Sequence, residues 1–596
     1  MIPDLNPSQR EAVCCGPGPC EVIAGPGSGK TFVLTERIVY LIEHFKIDPS
    51  RILVLTFSRS AAAQMKERFM RRTGGNSAGV LFGTFHSVFF HILRESTHRS
   101  YALLKDEQRD RLLNHLICRY YSDPYERPSL EEAEKMIRNG NAAVRQHDED
   151  LRRDYRRFLK ENGFVDFDDM ISECRSLLEA DKEIRDYWSG RFTAVLVDEF
   201  QDINREQYEI LRLLTSGRGL FVVGDDDQSI YGFRGSDPAV MTQFMTDFPG
   251  TKRIFLDRNY RCSGCILRTA SLLIRENRMR IPKEMTAEGP MGDRAVLRAF
   301  SEDSQEFLYL LREMRKLTGP ELDSTAVIVR TNTHAAKIEK YLSGNGIACC
   351  GQISMSRSIY SAAARDIEAY LILAEGMKRD MLPRNSFYRV MNRPQRFLLR
   401  SAAPSEFIRP SELLSMSGGK EEYSAGIQDL LRDLEILGTL DPEGFMRYLY
   451  YSAGYAEWAA ENLGGREQVL FELDRLLEKA GPLKDLREIP GAIRSLGESR
   501  GNKKAHGVRI MTMHVSKGLE FDRVYLPALN EGILPGRRCI SPSDFEEERR
   551  LLYVAMTRAR RHLELLYTTG TGQNPRPPSR FLSVYGVRSF VSSQRK

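Results

Sequence analysis

Short apolar runs alternate with segments of helical periodicity through the first 90 positions. EVIA (21–24) leads through a glycine-rich turn into a helix from about 30. RILVLTF (51–57) leads into another from about 59, and VLFGTF (80–85) into a third. Apolar runs this short, separated by helices, predict a parallel α/β sheet covered on both faces. From about 90 to 160 the alternation gives way to charged, helix-patterned sequence, which predicts an inserted helical subdomain. AVLVDEF (194–200), LFVVGDD (220–226) and RIFLDRN (253–259) then complete the first α/β series. A second series begins with AVLRAF (295–300) and AVIVRTN (326–332). It resumes in VRIMTMH (508–514), DRVYLPA (522–528) and HLELLYT (562–568). The predicted organisation is 1–89 with 161–260, an insertion 90–160, then 261–375 with 504–590, and a mostly helical insertion 376–503.

At about 150 residues per domain, 596 residues suit about four domains. Hydrophobic residues make up 41% and charged residues 28%, a soluble globular composition. The opening MIPDLNPSQR has neither the basic start nor the apolar run of a secretory signal, and no stretch approaches the ~20 apolar residues of a membrane span. A cytoplasmic protein without a membrane partner is therefore expected. Subtracting 81 acidic from 87 basic residues leaves +6, which permits a polyanionic partner without requiring one. Ten scattered cysteines fit a reducing compartment, and the CxxC of Cys262 and Cys265 lacks the second ligand pair of a zinc site.

AGPGSGKT lies between a strand and a helix, the context of a phosphate loop. Ala24, Gly25, Pro26, Gly27, Ser28 and Gly29 form the turn whose N–H groups cradle phosphates. Lys30 reaches the β- and γ-phosphates of ATP, and Thr31 offers its hydroxyl to Mg²⁺. LVDEFQD (196–202) supplies the acids: Asp198 to hold the metal, Glu199 to orient and deprotonate the attacking water. Arg261 and Arg558 are candidates for stabilising charge on the γ-phosphoryl oxygens.

These motifs stand in a longer ordered set. LNPSQREAV (5–13), LTFSRSAAAQM (55–65), GTFHS (83–87), DFDDM (166–170), VGDDDQSIYGFRGS (223–236), LDRNYR (256–261), MTMHVSKGLEFD (511–522) and EEERRLLYVAMTRA (546–559) accompany the phosphate loop and the acid pair. The chain resembles the UvrD/Rep/PcrA group of superfamily 1A DNA helicases over nearly its whole length. The resemblance implies two RecA-like P-loop domains, each interrupted by a helical insertion, and an ATP- and Mg²⁺-dependent 3′-to-5′ motor on single-stranded DNA and its junctions with duplex. It further implies that Gln9 reads the adenine edge, Tyr260 stacks on the base, Arg37 lies near the base and Glu520 contacts the ribose. Gln228 would sense the γ-phosphate, and Arg261 and Arg558 would be the γ-phosphate arginines.

Translocation needs a track that grips any sequence, and aromatic rings in strand-end loops stack on bases without reading them. Phe57, His86, Tyr231 and Phe233 fit that need, and the resemblance adds Arg59 and His514 as DNA contacts. Arg153, Arg156, Arg157 and Lys160 share a helix face, read first as a solvated surface and second as a DNA contact. In the second insertion, RVMNRPQRFLLRS (389–401) matches the arginine run that precedes a duplex-touching, glycine-containing turn in the family. Phe397, Leu398 and Leu399 replace that turn, and the insertion is expected to be short. Two functions remain open on these grounds. One is a translocase that unwinds duplex in DNA repair, replication or recombination. The other is a nucleoprotein remodeller that unwinds poorly unless partnered by an accessory protein or a weakly associated second copy. A nucleotide kinase or GTPase would leave Gln228, Arg261 and Arg558 without a purpose.

Overall fold

The computed structural model describes residues 5–74, 79–97, 101–104, 106–121, 128, 130–138, 146–215, 219–232, 235–351, 357–396, 398, 407–415, 421–462, 466–489, 506–537, 539–571 and 574–587. Phe233, Phe397 and Leu399 lie outside the described residues, as does 490–503 of the second insertion. The chain forms two compact units, residues 1–306 with 513–596, and residues 307–512.

The first unit holds a six-stranded parallel sheet of β1 (Cys20–Ala24), β2 (Ile52–Thr56), β3 (Leu81–Thr84), β4 (Ala194–Val197), β5 (Leu220–Gly224) and β6 (Lys252–Leu256), in the order β3-β2-β4-β5-β1-β6. Every residue of β1, β2, β4 and β5 is buried. The pleat divides them between two cores. Val22, Ala24, Val54 and Leu196 pack with Val33, Leu34 and Ile38 of the helix α2 (Lys30–Glu43) on one face. Ile23, Leu55, Val197 and Val222 pack with Phe89, Trp188, Tyr208 and Phe244 on the other. Covering both faces explains why these strands read as unbroken apolar runs. In a parallel sheet all carboxyl ends share one edge, so the turns after β1, β4 and β5 bring the phosphate loop, Asp198 and Asp225 together.

The first insertion has its own small core, running from Leu104 through Leu113 and Leu151 to Leu159. The preceding helix Phe85–Thr97 instead buries Phe89, Ile92 and Leu93 in the core of the sheet. The expected boundary at 90 therefore cuts a helix that belongs to the sheet, and the insertion begins after it. Arg153 and Arg157 are exposed and paired with Asp150 and Asp154. Also in this unit, Val296–Phe300 and Phe521–Leu526 pair parallel with Ala559–Thr568.

In the second unit, Thr325–Val329 and Cys349–Gly351 pair parallel with Val508–Thr512. The rest is mainly helical, around a core from Ala363 to Ile489. The helix Arg357–Met377 contributes Ile367, Tyr370 and Leu373 to that core. A boundary at 376 therefore falls inside a helix that packs with the insertion. The arginine run points inward. Arg389 Nε and Arg393 Nη1 lie 2.8 and 2.9 Å from Oδ1 of the buried Asp366, and Arg396 pairs with Asp433 at 2.6 Å. Tyr455 donates to Asp366 at 2.9 Å, and the Arg393 guanidinium sits 5.3 Å from the Trp458 ring centre.

Candidate functional site: a phosphate loop joined to an aromatic cluster

Gly27 and Gly29 take left-handed backbone angles, φ 65° and 87°, which let the loop after β1 curl before α2 begins at Lys30. A side chain on Gly27 would reach within 2.6 Å of Arg261 Cβ, so the loop and the Asn259–Arg261 turn fit only without one. Asn259 Nδ2 donates to Pro26 O at 2.6 Å and the Tyr260 N–H to Gly27 O at 2.9 Å. Ser28 Oγ closes the loop on Gly25 O at 2.8 Å.

The acid pair sits at the end of β4. Glu199 is held at φ 51°, a conformation costing about 1–3 kcal/mol for a residue with a side chain. The turn aims its carboxylate at Lys30, 3.7 Å away. Burial opposes ionisation of Glu199, but Lys30 and Lys517 outweigh it and hold this carboxyl well below its ordinary range. Burial and the neighbouring Glu199 charge push Asp198 the other way. Asp202 is pushed up to about 6 by burial, against the pull of Lys517. Gln201 bridges the acids, donating to Glu199 at 2.5 Å, while its Oε1 accepts from the Asp225 N–H at 2.9 Å.

Gln228 stands where these groups meet. Its Nε2 donates to Asp225 at 2.5 Å, its Oε1 faces Arg558 Nη2 at 3.3 Å, and its backbone carbonyl accepts from Lys517 Nζ at 2.9 Å. Lys517 also pairs with Asp202. Arg558 is buried and packed against the carbonyls of Val554 and Leu519. Burial and then Arg261 lower its pKa to about 9.

From this polar cluster the contacts run directly to aromatic rings. Lys517 Nζ lies 5.0 Å from the Tyr231 ring centre, Tyr231 stacks on Phe57 at 5.0 Å and 13°, and His514 is tilted 6.4 Å from Tyr231. His86 packs edge-on to Phe167, which is itself exposed. Arg59 is exposed at the start of the helix Arg59–Thr73.

Residues 5–249 match the UvrD/REP helicase N-terminal domain, and residues 254–398 with 459–570 match the UvrD-like helicase C-terminal domain. This chain belongs to the UvrD/Rep helicase family. It is similar to the ATP-dependent DNA helicase Rep of Escherichia coli (strain K12), 30% identical over 97% of this chain and 93% of the relative. Rep of Salmonella typhimurium is 31% identical over 97% and 93%. The ATP-dependent DNA helicase PcrA of Staphylococcus epidermidis is 29% identical over 98% and 86%. Membership makes the chain an enzyme of the ATPase/helicase class with two RecA-like domains. The stretch 399–458 that neither domain matches falls in the second insertion.

Among the residues assigned by resemblance to this helicase family, Tyr260 has a half-exposed ring, with its hydroxyl accepting from Asn6 at 2.7 Å. Gln9 is buried. It caps α1 (Pro7–Cys14) through Asn6 and donates to Ser28 O at 3.0 Å, so it touches the phosphate loop itself. Glu520 pairs with Arg261 at 2.9 Å and with Arg560. Arg37, expected near the base, has both of its Nη groups engaged by the chain itself. Its guanidinium is buried on the carbonyls of Val13, Cys15 and Gly16 at 2.6–2.9 Å and lies over the Phe221 ring, so it ties the end of α1 to the sheet. Lys517, Gln201 and Asp202 join the site as well: Gln201 and Asp202 lie within LVDEFQD and Lys517 within MTMHVSKGLEFD, but only their partners in the fold distinguish them from the other polar residues there.

The donor set fits a magnesium ion. The Thr31 hydroxyl and the Asp198 carboxylate are hard oxygen donors, and burial that favours the protonated acid makes a cation welcome there. Such an ion would neutralise phosphate charge. What the chain itself supplies beside that position is the Lys30 ammonium and a Glu199 carboxylate kept ionised by Lys30 and Lys517.

Proposed function

We propose that this chain is an Mg²⁺·ATP-driven motor that moves 3′ to 5′ along single-stranded DNA, acting in the cytoplasm in DNA repair, replication or recombination. The observation that carries this reading is the run of contacts from Glu199 through Gln201, Asp202 and Lys517 to the stacked Tyr231–Phe57 pair. A change at the γ-phosphate has a short physical route to the rings that hold bases. In this reading Lys30, Thr31, Asp198, Glu199, Gln228, Arg261 and Arg558 handle the phosphates and the metal, Gln9, Tyr260 and Glu520 the nucleoside, and Phe57, Arg59, His86, Tyr231, Phe233 and His514 the strand.

A second reading, a remodeller that unwinds duplex poorly alone, draws on the second unit. The arginines at 389, 393 and 396 are consumed by Asp366 and Asp433, so this run offers little to a duplex phosphate. Strand displacement on 3′-tailed and 5′-tailed duplexes, run beside single-strand translocation, tests both. Preference for the 5′ tail would overturn the polarity. Efficient unwinding of long duplex by the isolated monomer would overturn the second reading.

A further inference from the structure

The segment Arg280–Met285 binds the Gln228 turn at one end and the phosphate loop at the other. Lys283 is almost fully buried, with its Nζ 3.0 Å from Asp225, 2.6 Å from Asp226 and 2.7 Å from Asp227. Arg280 grips Asp227 with two hydrogen bonds of 3.0 and 2.7 Å, and the Ile281 N–H donates to Asp226 at 2.6 Å. At the far end, Met285 Sδ lies 2.5 Å from where a side chain on Gly25 would begin.

The three carboxylates lie within 4.8 Å of one another, a set able to hold a metal ion, but the Lys283 ammonium is already placed among them. One of them leads onward. Asp225 meets Lys283 through Oδ1 and Gln228 Nε2 through Oδ2, and Gln228 in turn faces Arg558. Without the ammonium, three crowded carboxylates repel one another or take up a proton, and either outcome frees the Asp225 oxygen that orients Gln228.

We propose that Lys283, supported by Arg280, is a positioning residue for ATP hydrolysis that acts through Asp225 to set the side chain of Gln228. The proposal rests on the ATPase reading, with Gln228 at the γ-phosphate. A misplacement of about 1 Å can cost on the order of a hundredfold in rate. Lys283→Met should therefore lower the kcat of single-strand-stimulated ATP hydrolysis about tenfold or more, with the KM for ATP changed less than about threefold.

The decisive measurement is the same substitution in a Gln228→Ala background, with folding checked by circular dichroism. There it should lower kcat by less than about threefold, because the group it positions is gone. Full, multiplying losses in the two backgrounds would overturn the proposal, as would a rise in KM with kcat unchanged. Should Lys283→Met not fold, Arg280→Lys keeps the charge while loosening the grip on Asp227, and its smaller kcat loss must likewise vanish in the Gln228→Ala background. A wild-type chain whose ATPase ignored single-stranded DNA would overturn the functional reading together with this one. Normal stimulation with unaltered kcat in both variants would overturn this one alone.

Discussion

The Lys517 ammonium lies 5.0 Å from the centre of the Tyr231 ring. The same ammonium pairs with Asp202 and with the carbonyl of Gln228, so one cation touches both the acidic cluster beside the phosphate loop and the aromatic cluster. Lys517→Met should abolish most of the stimulation of ATPase by single-stranded DNA, read as the ratio of rates with and without oligonucleotide. It leaves a buried carboxylate uncompensated, so urea unfolding should show a loss of about 3–5 kcal/mol.

Lys30→Ala removes the mobile cation of the phosphate loop and frees Glu199 from its partner. ATP hydrolysis should fall to background while oligonucleotide affinity, measured by fluorescence anisotropy, largely survives. Glu199→Gln should instead retain ATP binding by calorimetry and lose turnover, because only the proton acceptor has gone.

Tyr231→Ala should weaken single-strand affinity by about 1–3 kcal/mol, since it removes one ring of the stacked Phe57 pair. Basal ATPase should hardly move. Equal weakening of ATP binding would show that the ring serves the nucleotide side.

Arg393→Ala should behave as a stability mutant. Its guanidinium serves Asp366 and Trp458, so thermal unfolding of the second unit should shift downward while affinity for blunt duplex stays within about twofold. A large loss of duplex affinity in a stably folded variant would restore this run to the DNA interface.

Glu306 is buried and accepts the Ala528 N–H at 3.0 Å, and burial pushes its pKa up to about 7 from an ordinary 4.5. The folded chain therefore holds a proton that the unfolded chain releases between these values. The stability from that proton is fully present below about 4.5 and lost as the pH rises to about 7, a change on the order of 3 kcal/mol. Urea unfolding of Glu306→Gln at pH 5 to 8 should lack this part of the wild-type slope.

The positions of the strands, the phosphate loop and the Asp198–Glu199 pair were legible in the sequence because each is a local pattern. An apolar run records burial on both faces of a parallel sheet, and glycines at fixed spacing record a turn that needs left-handed angles. The two insertions were legible as breaks in that alternation, but not their edges, since a helix on either side of a boundary has the same periodicity whichever core it joins. Partners lay beyond reach altogether. Arg37 and the arginines at 389, 393 and 396 look like cations free for phosphate until the fold shows their donors spent on carbonyls or buried carboxylates. Lys517 and Lys283 look like ordinary surface lysines until residues about 290 and 57 positions away close around them. Charge and periodicity along a chain tell which residues can be buried, whereas the energy of a buried charge is set by what packs against it, and only the tertiary structure decides that.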